Sequence, residues 1–222
     1  MKKRVERPGV SKGYDLWSES YDQTPNPLVA LDRRTTLDFL APRPGEYILD
    51  AACGTGFYLN AIAQAGGRPI GLDFSRCMLR VARCRVPRVP LIYADLESEL
   101  PFPREDFDAV LCALVGEHLT HLPDFFREVY GSLKPGGRMA FSVFHPELVA
   151  AGIEANFEQA GVEYRLGALP YSVHDYLNII AHSGFRRIRS QEFCGDEELV
   201  RQLPVAAKYL NRPLLLVVEA WR

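Results

Sequence analysis

The sequence predicts one α/β unit, a mostly parallel sheet with helices on both faces. Three observations carry that expectation. From Glu46 onward, short apolar runs alternate with amphipathic stretches, the order that builds parallel strands joined by helices. The run Tyr47–Ala51 carries an acid, Asp50, at its end and passes into the small residues Ala52-Cys53-Gly54-Thr55-Gly56, before a helical pattern with Leu59, Ile62 and Ala63. The run Phe107–Ala113 is apolar almost throughout, as a strand covered on both faces must be.

Residues 1–12 read as a loose tail, its Lys2, Lys3, Arg4 and Arg7 a solvated basic cluster. Aromatics at Tyr14, Trp17 and Tyr21, three and four residues apart, put an aromatic face on a helix. Thr24-Pro25-Asn26-Pro27 breaks the chain, and Leu28, Leu31, Thr35 and Phe39 mark a second helix that stops at Ala41-Pro42-Arg43-Pro44-Gly45. Strands follow over 47–51, 68–72, 89–94, 107–113 and 138–144. Gly66-Gly67 ends the first intervening helix, Ser75 caps the next over 76–85, and a third spans 122–133 before Lys134-Pro135-Gly136-Gly137. After His145-Pro146 the rhythm changes. Residues 146–171 read as an insertion with a short helix, a turn at Gly161 and a strand-like stretch over 162–166. A helix over 173–182, strands over 185–193 and 214–221, and a helix between them over 197–210 complete the pattern.

Composition narrows the function. Of 222 residues 47% are hydrophobic, enough for a core, and the net charge is −2 with Lys and Arg dispersed, so the field of a general nucleic-acid binder is missing. No apolar run reaches the roughly 18 residues of a membrane span, and no apolar stretch follows the basic start as in a secretory signal. Five cysteines, Cys53, Cys77, Cys84, Cys112 and Cys194, form no C-x-x-C pair and read as reduced core residues of a cytoplasmic protein. No metal site is expected.

The glycine turn after the first strand of the parallel sheet is a place for a nucleotide-like cofactor, since glycine lets the backbone approach a ligand. The dinucleotide fingerprint G-x-G-x-x-G is incomplete here, because Leu59 stands at its third glycine. The arrangement Asp50-Ala51-Ala52-Cys53-Gly54-Thr55-Gly56 resembles instead motif I of the class I S-adenosylmethionine (SAM)-dependent methyltransferases, with Ala52 at the family's first glycine. Gly71-Leu72-Asp73-Phe74-Ser75-Arg76-Cys77-Met78-Leu79 resembles motif II, Asp95 ends the third strand, and 107–113 resembles motif IV. The helix from Leu122 and its Lys-Pro-Gly-Gly turn resemble the family's scaffold. The resemblance is strong over 45–145 and is nearest to the type 11 group, relatives of the quinone-biosynthesis enzymes.

The resemblance implies a Rossmann-like sandwich with a seven-stranded sheet. It implies N-terminal lid helices over 1–44, a SAM-binding domain over 45–222 and a substrate cap at 146–171. It implies that Asp50, Ala52, Cys53, Gly54 and Gly56 hold SAM at the turn and that Asp73 accepts the ribose hydroxyls. Phe74 and Met78 line the adenosine, Asp95 and the backbone of Leu96 read the adenine, and Ala113 and Leu114 face the methionine part. Tyr21, in the pair Tyr21-Asp22, belongs near the SAM carboxylate, whereas Asp108 starts its strand at the remote edge and reads as structural.

Methyl transfer is an in-line displacement, so positioning and desolvation supply much of the catalysis and a base is needed only where the acceptor loses a proton. Candidates past the strand ends are His118, His145 and Tyr171, with His174 behind them. The stretch Ala113-Leu114-Val115-Gly116 lacks the Pro-Pro of amino-methylating DNA enzymes, the chain has no Pro-Cys nucleophile, and no acid cluster offers a Mg²⁺ site. What remains is a small-molecule acceptor, O, N, C or S, for a monomer or homodimer. The insertion, with Phe157, Tyr164, Leu166, Leu169 and Tyr171 beside Glu154, Glu158 and Arg165, suits an aromatic or amphipathic one. Two alternatives stay open: a same-fold enzyme with other SAM chemistry, and a SAM-binding regulatory or scaffold protein without turnover.

Overall fold

The computed structural model describes residues 4–222, so Lys2 and Lys3 of the expected tail lie outside the described residues. The chain begins with β1 (Arg4–Glu6), α1 (Val10–Trp17) and α2 (Pro27–Leu40). It continues through β2 (Tyr47–Ala51), α3 (Phe57–Gln64), β3 (Arg68–Asp73), α4 (Arg76–Arg85), β4 (Leu91–Tyr93), β5 (Phe107–Ala113), α5 (Leu122–Ser132) and β6 (Leu133–Phe144). Then come α6 (Pro146–Ala150), the hairpin β7 (Asn156–Gln159) and β8 (Val162–Arg165), α7 (Val173–His182), β9 (Arg186–Cys194), α8 (Glu197–Gln202) and β10 (Pro213–Trp221).

Seven strands form the central sheet in the order β4-β3-β2-β5-β6-β10-β9, parallel except that β10 runs antiparallel to both β6 and β9. Successive strand residues point to opposite faces, and both faces are apolar. Leu49, Val110, Leu216 and Val218 join the core under α5 and α7, where Phe126 and Tyr176 are fully buried. Ile48, Leu111, Leu215 and Val217 join the core under α2, α3 and α8. Truncating a ring such as Phe126 in such a core costs about 3–5 kcal/mol. α2 is tied to the sheet by more than apolar contact: buried Asp32 accepts from the hydroxyls of Tyr58, Thr36 and Ser142, each at 2.6 Å.

Helix ends follow local chemistry. The Asn26 side chain accepts from the Leu28 and Val29 amides, with Pro27 in the first turn of α2. Ser75 caps α4, and Ser172 and Asp175 form a reciprocal capping box on α7. Asp108 accepts from the Tyr47 amide and from Lys134 Nζ, both at 2.7 Å, which fixes the far edge of the sheet.

Four expectations are corrected. Residues 4–12 are no loose tail: β1 pairs in parallel with β8, α1 starts at Val10, and Arg7 donates to both oxygens of Glu154 at 2.9 and 2.8 Å. The expected helix over 197–210 divides, because Pro204 lacks an amide hydrogen; α8 ends at Gln202 and a separate 3-10 turn runs Pro204–Tyr209. The fifth central strand begins at Leu133 rather than at residue 138, with a register shift against β5 between Phe107 and Ala109. All five cysteines are free, but only Cys53 and Cys112 are buried; Cys84 and Cys194 are exposed. Among the described residues no helix is long and apolar enough to cross a membrane, and no group of three His, Cys, Asp or Glu side chains is arranged to hold a metal ion.

Candidate active site

The sheet order reverses between β2 and β5, and the carboxyl ends of strands at such a switch leave a crevice. The turn after β2 sits in it. Ala52 and Cys53 both donate backbone amides to Leu72 O, at 2.8 and 2.9 Å, which binds the turn to β3. Ala52, Gly54 and Gly56 take φ of 71°, 50° and 77°, the left-handed region. A Cβ on Gly56 would lie 3.1 Å from that of Ala82, so glycine permits the packing of α3 on α4. A Cβ on Gly54 would meet nothing within 4 Å: that backbone faces open space.

Two buried carboxyls stand at the ends of β2 and β3. Asp73, at the end of β3, accepts from the Gly54 and Ser75 amides at 2.8 Å each, and burial pushes its carboxyl up to about 6. Asp50 is 1% exposed, and neither of its oxygens has a hydrogen-bond partner; burial raises its pKa well above the carboxylate range, with Asp73 and Asp32 adding to it. Orphaned buried carboxylates are costly, and a strongly perturbed carboxyl beside a cleft is a candidate for function.

The N-terminal segment closes over the crevice through four polar anchors. Asp15 accepts from Ser75 Oγ at 2.6 Å and the Cys77 amide at 3.1 Å. Ser11 donates to Phe74 O at 3.3 Å, and Tyr14 Oη lies 3.1 Å from His118 Nε2. Asp22 is engaged by Arg33, by Thr55 Oγ1 at 3.1 Å and by Arg85 at 2.7 Å, while Arg85 also reaches Thr55 O at 3.1 Å.

Three cavities open around these residues. One of about 420 Å³ is lined by Tyr21, Ala52, Gly54, Asp73, Phe74, Met78, Ala113 and Leu114. A second, about 350 Å³, continues from Ala52, Asp73 and Phe74 to Asp95, Leu96 and His118. The largest of the three, about 600 Å³, is walled by Tyr14, Trp17 and Tyr21 on one side and by Ile153, Glu154 and Asn156 of the insertion on another. Tyr14, Tyr21 and Leu114 line both it and the first cavity. Leu114, with φ of 54°, holds a left-handed turn at this junction.

Of the residues expected at the site, Tyr21, Ala52, Gly54, Asp73, Phe74, Met78, Asp95, Leu96, Ala113 and Leu114 border the two smaller cavities. Asp50 and Gly56 border neither of them, Gly56 packing against Ala82 of α4 instead. The Cys53 side chain turns the other way, into a core with Leu59 and Val86, leaving only its backbone at the turn. The three acid–base candidates are not brought together. His118 borders the second cavity, and desolvation lowers its pKa to about 4, so it stays neutral and is a weak base. His145 is 1% exposed; Nδ1 accepts from the Glu147 amide at 3.3 Å and Nε2 pairs with Glu192 at 2.8 Å. His145 and Tyr171 line a separate surface pocket, and the Tyr171 hydroxyl donates to Leu119 O and Thr120 O. The residue that sequence reasoning passed over is Glu117, beside His118. It lines the 600 Å³ cavity, is 3% exposed, and its Oε2 has no partner. Its position after β5 was visible; its burial, made by distant segments, was not.

Residues 49–141 match the family described as "Methyltransferase domain", type 11. A demethylmenaquinone methyltransferase of Clavibacter sepedonicus is 34% identical over 186 residues, covering 78% of this chain and 75% of that protein. The chain belongs to the SAM-dependent methyltransferases. The demethylmenaquinone methyltransferase of Tropheryma whipplei strain Twist is 32% identical over 148 residues, 64% of this methyltransferase and 62% of its own length, so the match spans less than two thirds of that relative. The crystal structure of a SAM-dependent methyltransferase from Mesorhizobium loti superposes with a TM-score of 0.73 at 27% identity, covering 89% of this chain and all of the other.

The residues present fit the family's cofactor. The open face of Gly54 leaves room for a ligand against the backbone. Asp73 keeps lone pairs for hydroxyl donors, whereas Asp50, buried at the end of β2, lines none of the three cavities. An apolar floor of Phe74, Met78 and Leu96 suits a purine ring.

Proposed function

We propose that this methyltransferase moves the methyl group of SAM to a small-molecule acceptor of aromatic character. One observation carries the reading: the cavities fitted to the cofactor and the larger, aromatic-walled cavity meet across Tyr14, Tyr21 and Leu114. The names of the relatives, which act on demethylmenaquinone, support a ring-shaped acceptor of that kind. When bound, SAM supplies a methyl on a sulfonium whose displacement by a nucleophile breaks one C–S bond, forms one bond to the methyl carbon and leaves a neutral thioether.

The chain's own work is to hold and exclude. Asp73 takes the ribose hydroxyls, Asp95 and the Leu96 amide read the adenine edge, and Phe74 and Met78 enclose the ring. Tyr21 and the backbone at Ala52, Cys53, Gly54, Ala113 and Leu114 surround the remainder. The segment over 4–44 and the insertion at 146–171 form the two walls that keep water from the acceptor. Five free thiols suit a reducing, cytoplasmic compartment.

Calorimetric titration with SAM tests the reading. Micromolar binding by the wild type and its loss in Asp73→Ala are expected; retention of wild-type affinity in the variant removes the proposed cofactor site.

A further inference from the structure

We propose that Glu117 is the proton acceptor of the methyl-acceptor site and that this site takes a neutral hydroxylated aromatic, a phenol, in preference to an anion. The proposal rests on the methyltransferase reading above. Glu117 lies in the 3-10 turn Gly116–His118 directly after β5, three residues beyond Leu114, which borders both the cofactor cavity and the acceptor cavity. It shares the acceptor cavity with the rings of Tyr14, Trp17 and Tyr21. At 3% exposure, with Oε2 unpartnered, it is a buried polar group with unused accepting capacity. Such a group is accounted for by a ligand that brings a donor.

Its surroundings favour a neutral donor. Titratable neighbours come from every side: Tyr14 on α1, Tyr21, Asp32 on α2, Cys112 on β5 and Tyr176 on α7. His118 beside it is uncharged, and Arg33, which faces Tyr21, is engaged by Asp22. The other carboxylate on the cavity, Glu154, already holds Arg7 at 2.8 Å and lies 3.8 Å from Arg165. Among the described residues no cation balances Glu117, and burial pushes its carboxyl up to about 7. A base of that strength is suited to a hydroxyl at neutral pH, whereas an anionic acceptor would meet like charge in a water-poor cavity.

The proton passes from the acceptor hydroxyl to Glu117 Oε2. The electron pair left on the acceptor forms the bond to the methyl carbon, and the pair of the broken C–S bond stays on sulfur. Glu117 returns its proton to solvent after the methylated product leaves.

The test titrates 2-naphthol and 2-naphthoate, one ring with two head groups, into the full chain saturated with S-adenosylhomocysteine, at about pH 5.5 and about pH 8.5. The wild type binds 2-naphthol more tightly at the higher pH, with a midpoint near 7, and binds 2-naphthoate at least about tenfold more weakly. In Glu117→Gln the pH dependence vanishes and 2-naphthoate gains affinity. Unchanged S-adenosylhomocysteine affinity shows that this variant is folded; if it is not, the wild-type pH profile and Glu117→Asp, which keeps the profile, decide. A flat profile, equal binding of the two probes, or binding of neither while S-adenosylhomocysteine binds overturns the proposal. Failure of S-adenosylhomocysteine itself to bind overturns the methyltransferase reading beneath it.

Discussion

The Ser75 hydroxyl donates to Asp15 at 2.6 Å while accepting from the Met78 amide at 3.0 Å, so the residue that caps α4 is itself held by a carboxylate from α1. Asp15 also accepts from the Cys77 amide. One side chain thus binds the N-terminal segment to the start of the helix that follows Asp73. These charge-assisted bonds hold the carboxyl below its usual range although desolvation works against them.

Asp15→Ala should loosen the segment over the proposed cofactor crevice. The expected result is a SAM dissociation constant higher by about tenfold, near 1.4 kcal/mol, with a faster release rate in stopped-flow measurements. Equal release rates would mean that the segment does not govern exit.

Ala52→Gly should stabilise the protein. Ala52 holds φ of 71° where the family motif has glycine, and that conformation costs an L-residue about 1–2 kcal/mol. Part of the gain is offset by the freedom glycine adds to the unfolded chain, so an increase of about 1 kcal/mol or less is expected in urea denaturation. Ala52→Val, branched at Cβ, should lose more than Ala52→Gly gains.

Glu117→Gln should be more stable than the wild type at pH 8. The folded carboxyl titrates at about 7 against the ordinary 4.5, so below both values the carboxyl is protonated folded and unfolded and costs nothing. Between them the native state binds the extra proton, and wild-type stability falls by about 1.4 kcal/mol per pH unit. Above 7 the penalty is complete. The advantage of the variant should therefore be largest above pH 7 and vanish below pH 4.5 in denaturation curves; an advantage independent of pH would show that packing, and not charge burial, sets the difference.

His145→Ala should lower stability by about 1–2 kcal/mol through loss of the α6 cap and of the Glu192 pair. SAM affinity should not change, since the imidazole lines neither of the cavities proposed for the cofactor. Calorimetry beside denaturation checks both.

Much of the architecture could be read locally. Tyr47–Ala51, Arg76–Arg85, Phe107–Ala113 and Val173–His182 lie where the periodicity put them, because each has an apolar pattern of its own and, for the helices, a capping serine. The pairing of β1 with β8 could not be read, since two charged residues around a lone Val5 are too short a run to establish a strand period, and their partner lies 158 positions away. The same holds at the site. The turn at Gly54 and the acid Asp73 are adjacent to strand ends and visible in one dimension. The surroundings of Glu117 and His145 are set by distant segments: Tyr14, Trp17 and Ile153 share a cavity with Glu117, while Glu192, 47 positions on, pairs with the imidazole of His145.

β1 runs beside β8 with Arg4 opposite Val162 and Glu6 opposite Tyr164, and Trp17 stacks on Phe157 with ring centroids 4.9 Å apart. The wall over the proposed cofactor crevice and the wall over the proposed acceptor chamber are thus joined to one another by this pairing and this stack. A movement of either wall would therefore carry the other with it, and where such a movement sets the pace, acceptors of very different reactivity leave the turnover number nearly the same.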